Sequence, residues 1–153
     1  MIKLLYITLG PALLFFAGFY LLALLSKSGS APGIVNGKLA RCATRPNGVC
    51  SEYPNDIDHF VDPLSYTGHD FSIEYLTQAV IHSGGSIVRT SENYLAATFT
   101  SKFFGFVDDV EIRLDTEKEH IHFRSASRVG YSDFGVNRKR VKELKKTLIT
   151  NKR

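Results

Sequence analysis

The sequence predicts an α+β fold: an N-terminal transmembrane helix, then a small antiparallel sheet of about four strands with two helices packed on one face. Three observations carry this reading. Residues 4–25 are uncharged and almost wholly apolar. Residues 86–126 alternate apolar and polar in consecutive runs separated by short turns. One amphipathic helical pattern precedes these runs and another follows them. Strands joined by short turns pair antiparallel, and two amphipathic helices bury their stripes by sharing one face of the sheet.

The elements follow in order. The 22 residues from 4 to 25 span roughly 33 Å as a helix, against a hydrocarbon core of about 30 Å. Tyr6 and Tyr20 lie near the ends, where amphipathic rings favour the interface, and Pro11 is tolerated in a membrane helix. The run exceeds the apolar core of a cleaved signal peptide, so 1–25 is read as a retained anchor. Lys3 set against Lys27, Lys38 and Arg41 leaves its orientation open. Residues 26–38, rich in Ser, Gly, Ala and Pro, read as a linker. A domain then runs over 39–150. Its first part, to about residue 63, lacks periodicity and reads as an irregular arm.

Asp70 is placed to cap a helix running to about residue 83, with Ile73, Leu76 and Val80 on one face and Gly84-Gly85 ending it. Strands over 86–90 and 94–100 follow, the second directing Leu95, Ala97 and Phe99 to the core. Val110, Ile112 and Leu114 alternate with Asp109, Glu111 and Arg113. The strand over 119–126 returns with Ile121 and Phe123 on one face and His120, His122 and Arg124 on the other. Val141, Leu144 and Leu148 stripe a last helix over 137–149.

The net charge of +4 is modest and does not fit a dedicated nucleic-acid binder. Cys42 and Cys50, the two cysteines of the chain, flank a Pro-Asn-Gly turn. They suit a small disulfide loop in an oxidising compartment, the alternative being two unpaired thiols. Their spacing matches no zinc motif.

Chemistry concentrates in 124–140. Arg124 and Arg128 project to one face with Ala126 between them, and guanidiniums bind carboxylate or phosphate through paired hydrogen bonds. Ser127 and Tyr131 add hydroxyls. With Asn137 as helix cap, Arg138, Lys139 and Arg140 crowd the end that already carries positive partial charge. A bound anion would relieve that conflict, as would Asp108, Asp109 or Asp133. Asp108 and Asp109 face opposite ways on a strand, so they form no catalytic dyad. Arg124, Ser127, Arg128, Tyr131, Asp133, Asn137, Arg138, Asp108 and Asp109 are the candidate ligand-binding residues. No nucleophile elbow, phosphate loop or dinucleotide fingerprint occurs, and no cofactor is implied.

Phe106-Val-Asp-Asp-Val110, Arg124-Ser-Ala-Ser-Arg-Val-Gly-Tyr-Ser-Asp133 and Gly135-Val-Asn-Arg-Lys-Arg140, in this order, resemble the family of domain of unknown function 1499. Arg89 and residues 94–101 resemble its preceding strand, so the resemblance covers about 42–150. It departs at Cys42-Ala-Thr-Arg-Pro-Asn-Gly-Val-Cys50, where Gly48 stands at the family's second cysteine position. The resemblance implies no reaction. Its members often bear an export or membrane segment, which implies an extracytoplasmic domain. The combined expectation is a single-pass protein of the bacterial inner membrane with a periplasmic domain. That domain would bind an anionic group: a lipid head group, a phosphate or a carboxylate of a protein partner. The alternatives are an envelope hydrolase using Asp108 or Asp109, and an accessory subunit of a membrane complex.

Overall fold

The computed structural model describes residues 2–66 and 71–150, with side chains described from Gly10 onward, Ala12 aside. Helix α1 (Ile2–Ser26) leads into a short hairpin of β1 (Ile34–Val35) and β2 (Lys38–Leu39). Next come β3 (Gly48–Cys50), β4 (Leu64–Ser65) and α2 (Ile73–His82). The chain ends in a meander of β5 (Ser86–Ser91), β6 (Tyr94–Thr100), β7 (Val107–Asp115) and β8 (His120–Ser127), then α3 (Val136–Thr150). Among the described residues no helix is long and apolar enough to cross a membrane. The transmembrane helix expected over residues 4–25 has no support among them.

The main sheet has six strands, in the order β3-β8-β7-β6-β5, with β4 also pairing with β8. The expected four strands are all present. The added two lie end to end on the outer edge of β8: Gly48–Cys50 opposite Ala126 to Arg124, and Leu64–Ser65 opposite Ile121 and His120. With three and two residues, they are too short to show a period.

The helices cover one face, as the alternation requires. Leu76, Ala79 and Val80 of α2 and Val141, Leu144 and Leu148 of α3 pack on Leu95, Ala97, Val110, Ile112, Leu114, Ile121 and Phe123. Each large side chain so buried contributes about 1.5–3 kcal/mol. The Tyr75 hydroxyl donates to the Leu148 carbonyl at 3.0 Å and ties the two helices. Ser72 caps α2 by accepting from the Tyr75 N–H at 3.3 Å; Asp70, the expected cap, lies outside the described residues. Gly84 leaves α2 at φ +90, a conformation that favours glycine.

The second face is not left to solvent. The expected linker is folded onto it through the β1–β2 hairpin, and Leu39, Cys50, Tyr94 and Ala96 form a second apolar cluster there with Ala31, Cys42 and Tyr53. Glu111 lies beneath, with no exposed surface. Its carboxylate accepts from Arg124 Nη1 at 2.8 Å, the Tyr94 hydroxyl at 2.7 Å and the Gly33 N–H at 2.8 Å. Burial and the Glu111 carboxylate push the Tyr94 phenol up to about 12, so it remains a donor. A buried charge stripped of its partner costs about 3–5 kcal/mol. Arg124→Met should therefore lower stability by roughly that amount in urea unfolding. Adding Glu111→Gln should restore most of it, because the amide oxygen still accepts from Tyr94 and Gly33 without a charge to bury.

Candidate functional site

The start of α3 resolves its charge conflict with the chain's own groups. Asp133 Oδ2 accepts from the Asn137 N–H at 2.8 Å and Oδ1 from the Gly135 N–H at 3.0 Å. The anion expected at this helix end is thus the Asp133 carboxylate, which also takes the capping role assigned to Asn137. Asn137 lies inside α3 and is fully buried. Its amide donates to the Asn47 carbonyl and the Ser127 hydroxyl, both at 3.0 Å, and its oxygen accepts from the Ser125 hydroxyl and Arg140. Arg140 continues to Asp108 Oδ2 at 2.7 Å. This network stitches β3, β7, β8 and α3 together.

The two arginines of β8 and its exit are likewise neutralised on the opposite face. Arg124 pairs with Glu111. Arg128 holds both oxygens of Asp109, at 2.9 and 2.7 Å, the two-pronged geometry of a strong ion pair. It also donates to the Ser26 and Lys27 carbonyls at the end of α1. Asp108 and Asp109 do point to opposite faces, each toward its own arginine. Arg138, expected to meet one of the aspartates, donates instead to the carbonyls of Phe60 and Asp58 at 2.7 and 2.8 Å. The expected guanidinium pocket is therefore not assembled.

What the same segment does build is an apolar hollow of about 410 Å3 against α1. Phe19 and Leu22 of α1 form one wall; Phe106, Val107, Val129, Phe134 and Val136 form the others. Asp108, Ser127, Tyr131 and Asp133, four of the expected ligand-binding residues, also line it. The ring of Phe19 packs at 5.2 Å from Phe104 and 6.1 Å from Phe106. The Val107 N–H donates to Ser26 Oγ at 3.0 Å, which fixes the helix against β7.

A second polar cluster serves the arm. Arg113 pairs with Glu52 at 2.7 Å and with Asp115 at 3.2 Å. Ser51 Oγ accepts from the Phe123 N–H at 2.8 Å and sits 3.2 Å from His122 Nδ1. His122, on the strand face away from Ile121 and Phe123, is buried. Among the described residues, no group of three or more His, Cys, Asp or Glu is placed to hold a metal ion.

Cys42 and Cys50 are free thiols, and the disulfide expected between them is not formed. Cys50 is locked in the β3 ladder opposite Arg124, while Cys42 packs from the arm. Burial pushes Cys42 up to about 12 and Cys50 up to about 11. Gly48 is glycine for a local reason: a Cβ there would meet the Ala126 Cβ at 2.8 Å.

Sequence reasoning missed Glu111, Arg140, Asn47 and Ser125. The acids at 109 and 111 set against arginines at 124 and 128 were the available signal, since adjacent antiparallel strands bring such residues face to face.

A two-layer α+β domain with a loop-and-helix hollow at one end is the class this geometry defines. The family described as "Protein of unknown function (DUF1499)" matches residues 38–148, and the chain belongs to it. No curated protein and no solved structure matches.

Thiols held this far above neutrality react slowly, because the thiolate is the nucleophile. Neither cysteine should react with an aromatic disulfide reagent at neutral pH in the folded chain, and both should react once urea is added. Desolvation lowers the His122 pKa below its usual 6.5, so the unfolded chain binds that proton more readily. Its contribution is complete above the unfolded pKa and declines as pH falls through it toward the lower folded value. His122→Gln should flatten that part of the stability–pH curve measured by urea unfolding.

Proposed function

We propose that this protein is a membrane-anchored binding module, with α1 as the anchor. Its hollow receives the apolar chain of a lipid-like amphiphile. The observation that carries this reading is the make-up of the hollow, whose walls come jointly from the apolar helix and from the 127–136 segment. Binding sites for small molecules are concave, mostly apolar and furnished with a few polar groups. Ser101, Ser127, Tyr131 and Ser132 supply such groups here. The arginines read as anion ligands are engaged with Glu111 and Asp109 or with backbone carbonyls. An apolar occupant is therefore favoured over a phosphate or carboxylate at this point. Both carboxylates in the wall have structural partners, Asp108 in Arg140 and Asp133 in the N–H groups that begin α3, which favours binding over hydrolysis. With the two thiols unbridged, an oxidising compartment loses that support, and we assign the domain to a membrane surface without assigning its side.

The test is photolabelling of the full chain in phosphatidylcholine vesicles carrying a diazirine on the acyl chain. Adducts are expected at Phe106, Val129 and Val136 as well as along α1. Filling the hollow with Val129→Trp should reduce the adducts at Phe106 and Val136 severalfold and leave those on α1 unchanged. Labelling confined to α1 would sink the reading.

A further inference from the structure

We infer that the 101–105 turn and Phe134 form an interfacial wedge that sits in the headgroup–acyl boundary of a phospholipid bilayer beside α1. The inference rests on the proposed reading of α1 as an anchor.

Phe103 and Phe134 are each 96 % exposed, and Tyr131 and Phe104 are also exposed. Single exposed apolar residues are ordinary, but a contiguous group calls for an explanation. These residues come from two loops that border one hollow, since Ser101, Phe106, Tyr131 and Phe134 all line it. They continue the exposed apolar surface of α1, which includes Phe15, Phe16, Tyr20 and Leu21.

Depth is set by the helix. Phe19 touches the rings of Phe104 and Phe106, and Ser26 lies two turns further along α1, roughly 10 Å at about 1.5 Å per residue. A helix embedded to its end carries the turn that packs on Phe19 down by a similar amount. That matches the about 5–10 Å to which interfacial segments bury their apolar faces. Aromatic rings favour this layer, and the exposed Lys27 and Lys102 flank it, where cations meet anionic head groups.

The turn is closed at its base by bonds of its own. The Ser101 N–H donates to the Phe106 carbonyl at 2.8 Å, the Gly105 N–H to the Ser101 carbonyl at 3.1 Å, and the Phe106 N–H to Ser101 Oγ at 3.0 Å. These backbone donors are already satisfied when lipid replaces water. Phe134 presents its ring from the turn that begins α3. It sits at φ 54, unusual for a bulky side chain, and its exposed ring packs on no core. The backbone there is held by the turn that lets Asp133 cap α3, so the aromatic ring itself answers to no packing demand.

The chain contains no tryptophan, so Phe103→Trp and Phe134→Trp each provide a single tryptophan, excited selectively over the tyrosines. Glu117→Trp, in the exposed turn at the far end of β7, serves as the control. The full chain is reconstituted in phosphatidylcholine–phosphatidylglycerol vesicles containing lipids brominated near the glycerol end of the acyl chain. The first two reporters should show blue-shifted emission and strong quenching, and the control neither. Water-like emission from the first two, with the protein still resisting alkaline extraction, overturns the wedge while the anchor stands. Release of the protein by alkali overturns the wedge and the anchor together. Water-like emission in lipid vesicles together with capture of a membrane protein by a photocrosslinker placed at Phe103 in native membranes assigns the rim to a protein partner, and the inference fails.

Discussion

The Glu111 carboxylate is the constraint around which this structure is arranged. Taking an ionised carboxylate out of water costs several kcal/mol unless donors replace the lost solvent. Here they come from three places: Arg124 on β8, Tyr94 on β6 and the Gly33 N–H just before β1. That requirement fixes how β6, β7 and β8 register and where the N-terminal chain must pass. The neighbouring pairs Asp109–Arg128 and Glu52–Arg113 extend the same principle along the face. One side of the sheet is thus an ordinary apolar core under two helices. The other is a sealed layer of ion pairs beneath a hairpin.

This division governs what the 124–140 segment can recognise. Guanidiniums committed to internal acids orient elements and have little left for a ligand, while the chain that carries them is free to shape a cavity with its apolar residues. Tyr131, Asp133 and Phe134 are thus placed by a network whose own members, Arg128 and Asn137, hardly enter the hollow. The polar residues of the motif act as scaffold, and the apolar ones between them make the walls.

Much of the fold was legible in the sequence because period-two and helical patterns report burial directly. Val110, Ile112 and Leu114, and the stripe of Val141, Leu144 and Leu148, occupy the places their spacing implied. The same rule did not reveal that Glu111 and His122 are buried. Alternation says that two faces differ, not that the polar one meets solvent, and the arm that covers it has no periodicity of its own. Strands as short as β3 and β4 exist only because β8 offers an unpaired edge, which is information held elsewhere in the chain. The helix cap was misassigned for a related reason: Asn137 and Asp133 are both suitable side chains, and only the glycine turn at Gly135, φ 81, lets Asp133 reach back. The hollow was half visible, in the clustering of Ser127, Tyr131 and Asp133. Its apolar walls were not, since Phe19 and Leu22 had been counted as part of the anchor.

Arg128 has a consequence for how the domain is carried. Its guanidinium grips Asp109 within the sheet and, with its remaining nitrogen, the last carbonyls of α1, while its aliphatic stem lies over Gly29. The helix and the folded body are therefore joined by a brace instead of a swivel. A change in the tilt of the helix rotates the whole body by the same angle, and the body has little freedom to sample other orientations relative to α1.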